Sequence, residues 1–375
     1  MNLMYGRVLM GTSLGLHIIL AVIGMALPLY ISLAEGIGIW KKNDALRLLA
    51  RRWTSAFVIL FAVGAATGMI VGIELSLLWP NFMTVAGQAI ALPFAVETFA
   101  FFFEAIFLGL YVYGWDRFKN PVLHWLCSLP IAISAAASGS LITIVNAWMN
   151  SPAGFTLKDG KVTNVQPIAA VLNPATPSEL AHTVVTAYLA VGFMLAGITA
   201  VTMLRERRGV YYQQALTLTM LVALVAACGT IITGDLSGKY VAQYQPAKLA
   251  AMEALYQTQT SAPEIIGGVV DSAHHTVHGG IEIPFFLSFL ATGDVHGKVV
   301  GLDDIAAAER PPIIIHYMFD AMVGAGMLMF TVAAAYALAL WRRPRWATNT
   351  WMLRAIAISL PMGFLAIEAG WEVTE

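Results

Sequence analysis

The 375-residue sequence contains few charged residues and only two cysteines. Charged side chains make up 11% of it, against about 25% in an ordinary soluble domain. The cysteines lie in apolar segments without a C-x-x-C spacing, which excludes a disulfide framework and a cysteine metal site. A net charge of −1 and the lack of basic clusters argue against a nucleic-acid partner. With 58% hydrophobic residues and a mean hydropathy of +0.73, the composition is that of an integral membrane protein.

Hydrophobic runs of membrane length recur along the whole chain. A bilayer core of about 30 Å requires about 20 apolar residues per helix. Eight segments satisfy this requirement: 9–34, 55–79, 93–115, 122–149, 181–203, 212–234, 312–341 and 352–373. The first segment is too long for a signal-peptide core and lacks a small-residue cleavage site, so we expect it to be retained. The sequence therefore predicts an all-α, polytopic transmembrane helical bundle with eight spans.

Basic residues predict the orientation of this bundle. Thirteen of the 21 basic residues fall in four connections that share one side if the spans alternate: "WKKNDALRLLARRW", "DRFKN", "RERR" and "WRRPRW". Short cytoplasmic loops carry such an excess, so the N-terminus is expected outside. The outer connections are then 79–93, 150–180 and 235–311, and only the last has room for a sizeable extramembrane structure. The expected organisation is spans 1–6 in 1–234, an outer loop in 235–311 and spans 7–8 in 312–375.

The third span carries two carboxyl groups, Glu97 and Glu104, in "AVETFAFFFEAIFLGLYVYGW". An ionisable group at mid-bilayer costs about 2.5–3.5 kcal/mol on insertion scales, so each is a candidate functional residue. Seven residues separate the two, which places them on one helix face about 10.5 Å apart along the axis. Protonated carboxyls packed against a neighbouring helix would also account for them. Two on one face favour a proton path or a cofactor contact.

Three further side chains are predicted in the outer half of the membrane: His17, His182 and Met322. Each taken alone is compatible with a packing role, because the chain contains 17 methionines and a lone membrane histidine is often hydrogen-bonded within the core. Imidazole and thioether groups that converge inside an apolar bundle are, however, what axial haem ligation requires.

Several separate stretches carry a family resemblance: "GRVLMGTSLGLHIILA", "AVETFAFFFEAIFLGLYVYGWDRF", "IVNAWMNSPAGF", "GDLSGKYVAQYQPAKLAAMEALYQT", "AMVGAGM" and "FLAIEAGWEVTE". Over essentially its whole length the chain resembles subunit I of the cytochrome bd family of quinol oxidases. The resemblance implies a low-spin haem b held by His182 and Met322. It also implies a high-spin haem b and a haem d, or a further haem b in its place, with His17 and Glu375 as proximal ligands and Glu97 beside a haem. Which haem each holds stays open.

The resemblance further implies quinol oxidation at the outer loop, where Lys248 and Glu253 occupy the family's charged positions. Protons would move along Glu97 and Glu104 to the site where O2 is reduced to water. This chemistry would generate a proton motive force without pumping. The implied partners are subunit II and a small single-span subunit. The implied location is the bacterial or archaeal cytoplasmic membrane.

Several features depart from the family pattern or stay open. The family continues into a ninth helix beyond the position of Glu375, so a terminal span is expected to be missing from this sequence. Asp320 stands where some members have an arginine near the low-spin haem. The spacing of His274, His275 and His278 is compatible with a metal site, although hydrogen bonding beside a quinol headgroup is the favoured interpretation.

Two other functions explain part of the pattern. A helical transporter or channel would use Glu97 and Glu104 to bind a proton or cation and would contain no haem. A cytochrome that only transfers electrons would contain haem but would not bind carbon monoxide. A reduced-minus-oxidised spectrum and its response to carbon monoxide separate these possibilities from an oxidase.

Overall fold

A computed structural model describes residues 3–158, 160–205 and 208–375. Within these ranges eight helical segments are long and apolar enough to span a membrane, which confirms the predicted bundle. The helices that form them are α1 Leu3–Trp40, α2 Asp44–Leu78, α3 Pro80–Gly114, α4 Pro121–Leu126 with α5 Ser128–Asn150, α7 Thr176–Leu204, α8 Val210–Tyr244, α11 Ile314–Arg342, and α13 Thr350–Ile358 with α14 Met362–Thr374. Glu206 and Arg207 of the basic segment "RERR" lie outside the described residues.

Short helices and hairpins fill the connections between the spans. The helices are α6 Pro167–Val171, α9 Pro246–Met252, α10 Phe286–Thr292 and α12 Pro344–Ala347. The strands pair antiparallel as β1 Thr156–Lys158 with β2 Lys161–Thr163, β3 Gln259–Thr260 with β8 Lys298–Val299, β4 Glu264–Ile266 with β7 Ile281–Ile283, and β5 Val269–Asp271 with β6 Thr276–His278. Two 3₁₀ turns, Leu302–Asp304 and Ala307–Glu309, precede α11.

Asparagine caps fix the start of three helices. Asn43 accepts hydrogen bonds from the backbone amides of Ala45 and Leu46 at the start of α2. Asn120 does the same at α4, where Pro121 occupies the first turn, and Asn349 caps α13. Such caps satisfy amides that have no partner within the helix. The short connections on the basic side therefore turn sharply.

The third span begins earlier than the sequence predicted. Residues 79–93 were expected to form an outer connection, but α3 starts at Pro80, which is favourable in a first turn because it needs no amide donor. Ala86, Ala89 and Ile90 are buried against Trp148, so packing holds this segment helical. Pro93 lies inside α3, where it removes only one backbone bond. Likewise, α8 continues to Tyr244, ten residues beyond the expected boundary at 234.

Two hydrophobic cores hold the bundle together. One lies around α1, α2 and α7, and the other lies among α7, α8, α11 and α13. Close helix approach depends on small residues, as expected where lipid supplies no hydrophobic driving force between helices. A Cβ at Gly192 would lie 2.4 Å from the hydroxyl oxygen of Tyr30. Glycine at this position lets the fully buried Tyr30 donate to the carbonyl of Tyr188 at 2.7 Å.

The outer loop between α8 and α11 is folded back on itself. Strand β8 pairs with β3, and the amides of Leu302 and Asp303 bond to the carbonyls of Leu255 and Tyr256. Helix α9 packs against both α8 and α11. The loop is therefore fixed to the ends of these two spans that lie opposite the basic connections, next to the residues predicted to bind haem and quinol.

Candidate functional site

His17 in α1 is held by a threonine of α2. Its Nδ1 lies 3.0 Å from Oγ1 of Thr67. The Thr67 hydroxyl donates its single proton to the carbonyl of Gly64 at 2.9 Å, so its oxygen accepts from His17. Nδ1 of His17 therefore carries the ring proton. The lone pair on Nε2 is left for a ligand.

His182 in α7 shows the same arrangement with α8. Its Nδ1 lies 3.0 Å from Oγ1 of Thr233, whose hydroxyl donates to the carbonyl of Gly229 at 2.9 Å. Thr233 must accept from the Nδ1–H of His182, which again leaves Nε2 as the basic nitrogen. Metal-bound histidines characteristically donate their second ring N–H in this way, which fixes the tautomer and the ring orientation.

Each candidate ligand that lies within a span also packs against a glycine of a neighbouring helix. A Cβ at the glycine would lie 3.5 Å or less from the ligand in three pairs: Gly68 with Cε1 of His17 (3.0 Å), Gly234 with Cε1 of His182 (3.5 Å) and Gly370 with Sδ of Met322 (2.9 Å). A larger residue would displace the ligand or force it to turn. Glycine therefore gives the ring or thioether room to take up one fixed position.

The helices that carry His182 and Met322 have two neighbouring helices in common. Helices α7 and α11, which carry them, are both packed against α8 and α14. Both side chains are only half-buried, although they lie in apolar spans of the bundle. An imidazole with a fixed basic nitrogen and a thioether are the ligand types that a six-coordinate haem iron takes.

Two carboxyl groups of other spans approach the His17 segment. Glu74 of α2 accepts from the hydroxyl of Ser13 at 2.9 Å. A Cβ at Gly15 would lie 3.1 Å from Oε2 of Glu368 on α14. The remaining oxygens, Oε2 of Glu74 and Oε1 of Glu368, are buried without a hydrogen-bond partner. Polar groups of three helices, α1, α2 and α14, therefore lie beside the segment that carries His17.

Glu97 and Glu104 both lie on the face of α3 that packs against the bundle. Glu97 is half-buried and accepts from the hydroxyl of Ser138 on α5 at 2.8 Å. Glu104 is deeper, with only 4% of its surface exposed. The two carboxyl groups are close enough to interact electrostatically. This agrees with the shared helix face that their spacing predicted.

Glu375 and Lys248 lie close together at the end of the bundle opposite the basic connections. Oε1 of Glu375 accepts from Asn146 at 2.8 Å and from the indole of Trp371 at 3.2 Å. Nζ of Lys248 donates to the carbonyl of Thr374 at 2.7 Å. This proximity could not be predicted from the sequence, because 127 positions separate the two residues.

Burial lowers the pKa of Lys248, while the carboxylates of Glu179 and Glu375 oppose that shift. The ammonium group is also held by Oδ1 of Asn150 at 3.2 Å. A partly desolvated cation with several acceptors around it can bind a quinol oxygen and stabilise negative charge that develops there.

Glu253 faces a different set of neighbours. It caps the end of α9 and is 5% exposed. Glu264 of β4 and Asp320 of α11 lie beside it. Lys248 and Glu253 thus belong to the same loop, but their side chains face different polar neighbours. The predicted quinol-binding pair consists of two separate polar groups.

Two of the three loop histidines, His274 and His275, are hydrogen-bonded to carboxylates, whereas His278 contacts the hydroxyl of Thr276. Nδ1 of His274 lies 2.7 Å from Asp271, and this bond is the largest cause that lowers the pKa of Asp271. His275 bonds to Asp303 and stacks on the ring of Tyr256, with centroids 4.5 Å apart. Within the described ranges, no three His, Cys, Asp or Glu side chains are grouped to hold a metal ion by protein ligands alone.

Sequence reasoning missed a buried polar network near the basic side of the bundle. Nδ1 of His124 lies 2.6 Å from Oε1 of Glu35, and its Nε2 lies 2.9 Å from the carbonyl of Tyr111. The hydroxyl of Tyr111 donates to Oε2 of Glu35 at 2.6 Å. Glu35 follows the predicted end of the first span by one residue, so it was not counted as an intramembrane carboxyl.

The donor atoms described above fit haem iron. Two intramembrane histidines present a basic Nε2, a methionine sulfur lies among packed helices, and glycines leave space at each position. Imidazole and thioether are the axial ligands that b-type and c-type cytochromes use. Carboxylates beside His17 and on α3 supply groups that can exchange protons near such a centre.

Comparison with known proteins gives the family. The family model described as "Cytochrome bd terminal oxidase subunit I" matches residues 5–375. The chain belongs to this family. It is an oxidoreductase subunit of a terminal quinol oxidase, and it is a multi-pass membrane protein.

Individual relatives agree with this assignment. A Bacillus subtilis protein provisionally named cytochrome bd menaquinol oxidase subunit I is 38% identical over 376 residues, which covers 99% of this chain and 84% of that protein. The cytochrome bd ubiquinol oxidase subunit 1 of Bacillus subtilis is 30% identical, with 100% and 82% covered. The solved bd oxidase of Geobacillus thermodenitrificans is 46% identical, with a TM-score of 0.95 over 99% of this chain and 86% of that one.

Proposed function

We propose that this chain is the haem-carrying subunit of an oxidase that oxidises membrane quinol at the outer face and reduces O2 to water. The observation that carries this proposal is the repeated threonine–histidine arrangement of Thr67 with His17 and Thr233 with His182. In both pairs the hydroxyl accepts from Nδ1–H and leaves Nε2 basic. A packing histidine would have no need for the same tautomer at two independent positions.

His182 and Met322 are assigned to a low-spin haem b. His17 and Glu375 are assigned to the two high-spin haems, one of type b and the other of type d or a further type b, and Glu97 lies beside one of them. Bound haem would supply one-electron chemistry and, where one axial position is open, a place for O2. The chain's own contribution is to orient the ligands through Thr67, Thr233 and the neighbouring glycines.

Quinol is proposed to bind at the outer loop, with Lys248 and Glu253 acting on its hydroxyl groups. Lys248 is fixed by the carbonyl of Thr374 and by Asn150, so its ammonium is positioned before the substrate arrives. Preorganised charge of this kind lowers the cost of the charge that develops during reaction. Ubiquinol and menaquinol both fit this description.

Glu97 and Glu104 are proposed to deliver protons to the oxygen site. Glu104 is buried, whereas Glu97 is half-buried and bonded to Ser138, so the pair forms a two-step path along α3. Protons taken from the inside and protons released outside would together generate a proton motive force without a pump. This direction requires the N-terminus to lie outside, as the distribution of basic residues indicates.

The proposed partners are subunit II and a small single-span subunit. Helix α2 leaves most of its membrane window uncovered, and α3 also exposes large apolar side chains such as Phe99, Phe102 and Phe103. These faces are available for lipid or for the membrane helices of a partner. The bacterial or archaeal cytoplasmic membrane is the proposed location.

A difference spectrum of the purified complex tests the proposal. Dithionite reduction should produce b-type bands, and carbon monoxide should shift the high-spin bands while the low-spin band stays in place. His182→Ala and Met322→Leu should each remove the low-spin signal from a folded complex. If no haem bands appeared, the transporter or channel would be the better explanation. Haem bands that do not shift with carbon monoxide would indicate an electron-transfer cytochrome.

A further inference from the structure

Three carboxyl groups cluster where the outer loop meets α11. They belong to Glu253 at the end of α9, Glu264 of β4 and Asp320 of α11. Among the described residues, no lysine or arginine forms a salt bridge with any of the three. Two ionised carboxylates side by side in a largely buried space, as those of Glu253 and Glu264 would be, repel one another strongly. This pair therefore requires a bound proton.

The carboxyl groups of Glu253 and Glu264 lie within hydrogen-bonding range of each other. A hydrogen bond between two carboxyl groups exists only if one of them carries a proton. Oε2 of Glu264 is buried without a donor from any other group. The pair thus has the geometry of two carboxyls that share one proton, and such a pair titrates as a unit.

His316 lies beside the cluster, on the side that faces the protein interior. It is completely buried, and its Nδ1 donates to the carbonyl of Met252 at 2.7 Å. Because a carbonyl can only accept, the proton sits on Nδ1, and Nε2 is the unpartnered atom. Nε2 lies 3.6 Å from Oδ2 of Asp320, which itself accepts from the amide of Gly267 at 2.8 Å.

His316 and Asp320 are the titratable groups of α11 that face the pair. Burial is the largest cause that raises the pKa of Glu253 well above its ordinary value, and Glu264 and Asp320 add to it. Burial also raises the pKa of Glu264 to about 7. A group with this pKa can both accept and release a proton near neutral pH, as a relay requires.

We propose that Glu253 and Glu264 form a proton-sharing carboxyl pair that accepts the protons of quinol and releases them to the outer water through Glu264. This inference rests on the proposed quinol oxidation at the outer loop. It adds Glu264 to the reaction, and it assigns a direction to proton transfer within the pair, from Glu253 to Glu264. Glu253 is 5% exposed and lies inward, whereas Glu264 is half-buried in a hairpin at the surface.

Every proton and electron that leaves quinol has an acceptor. Oxidation of one quinol to quinone releases two protons and two electrons. For each proton, a quinol O–H bond breaks and an O–H bond forms on a carboxylate oxygen of the pair, while an electron leaves to ferric haem, the one-electron acceptor that the proposed function supplies. The pair then loses the proton to water, which restores the carboxylate for the second proton.

Glu264→Gln tests the inference in the complete oxidase complex. The amide keeps the size of the side chain but cannot hold the relayed proton. The matched control is Glu282→Gln, because Glu282 lies on the partner strand β7 of the same hairpin and is exposed. Haem reduction is followed by anaerobic stopped flow with a quinol, and separately with a one-electron donor that releases no proton.

We expect quinol-driven haem reduction to slow by about 100-fold in Glu264→Gln, at the lower end of the range of about 10²- to 10⁴-fold for general-base effects. The one-electron donor should reduce both variants at the wild-type rate. In the wild type the quinol rate should rise as the pH passes upward through about 7, because the pair must release the proton taken from quinol before it can accept the next one. Glu264→Gln should lose this rise, and Glu264→Asp should restore part of it.

Infrared difference spectra give a readout that does not depend on turnover. The carbonyl stretch of a protonated carboxylic acid should appear near neutral pH in the wild type and in Glu282→Gln, and it should vanish in both Glu253→Gln and Glu264→Gln. Wild-type quinol kinetics and an unchanged infrared band in Glu264→Gln would overturn the inference. Failure of the wild type itself to oxidise quinol would overturn the proposed function instead.

Discussion

Thr233→Val is the sharpest test of the haem ligation proposed here. The substitution replaces a hydroxyl with a methyl group of similar shape, so packing between α7 and α8 is preserved. It removes the oxygen that accepts from Nδ1–H of His182 at 3.0 Å. The imidazole then loses both its fixed tautomer and its fixed orientation.

The size of the effect follows from the bond that is lost. A buried donor without a partner costs about 1–3 kcal/mol, and 1.4 kcal/mol corresponds to a factor of about ten in affinity. We therefore expect low-spin haem affinity to fall by about 10- to 100-fold, the range found for outer-shell partners of metal ligands. His182 also becomes a weaker electron donor to ferric iron, so the midpoint potential of the low-spin haem should rise. The rise is about 59 mV for each tenfold by which the affinity for ferric haem falls more than the affinity for ferrous haem.

Haem retention and a redox titration of the low-spin band measure these two effects. Thr230→Val is the matched control, because the Thr230 hydroxyl lies one turn earlier in α8 and donates to the carbonyl of Ala226. It should leave the band and its potential close to those of the wild type. If Thr233→Val kept full haem content and an unchanged potential, the inferred tautomer and the role of His182 as a ligand would both be wrong.

Three further predictions concern other polar groups of the protein. Glu104→Gln should reduce oxygen consumption severely while quinol still reduces the low-spin haem, whereas Glu97→Gln should first change the high-spin spectrum; near-normal turnover in both would favour a packing role. His124→Ala should lower the free energy of unfolding by about 3–5 kcal/mol in thermal melts, because it leaves Glu35 as an uncompensated buried charge; Glu35→Gln in the same protein should recover part of the loss. Lys248→Ala should raise the apparent KM for quinol more than it changes haem content, and unchanged quinol kinetics would exclude the lysine from the site.

The sequence was sufficient to predict the bundle because bilayer thickness sets the length of apolar runs. It was insufficient for the start of α3, where residues 79–93 are only moderately apolar and contain turn-forming residues. Burial of Ala86, Ala89 and Ile90 against Trp148 decides that segment, and this contact with α5 is tertiary. Local propensity gives way to packing at such positions.

The residues of the site could likewise be predicted from the sequence only in part. His17, His182, Glu97 and Glu104 could be selected because a polar group in an apolar span is costly. Glu264 could not be selected, because it lies in a polar loop and reaches Glu253 only through the fold of the hairpin onto α11. No local pattern marks a carboxyl that becomes buried by a distant contact.

The polar groups inside the bundle divide into two kinds, and the division has a physical reason. The threonines that orient His17 and His182 are neutral, and each hydroxyl donates to a carbonyl of its own helix, so neither adds a charge to the membrane. A carboxylate in the same position would hold the ring more strongly but would bring a desolvation cost of several kcal/mol and could take up a proton. His124 does pair with a carboxylate, Glu35, in a network where every ring nitrogen is bonded and none is left for iron. Neutral acceptors thus accompany the histidines assigned to haem, and ionisable partners accompany the histidine that holds helices together.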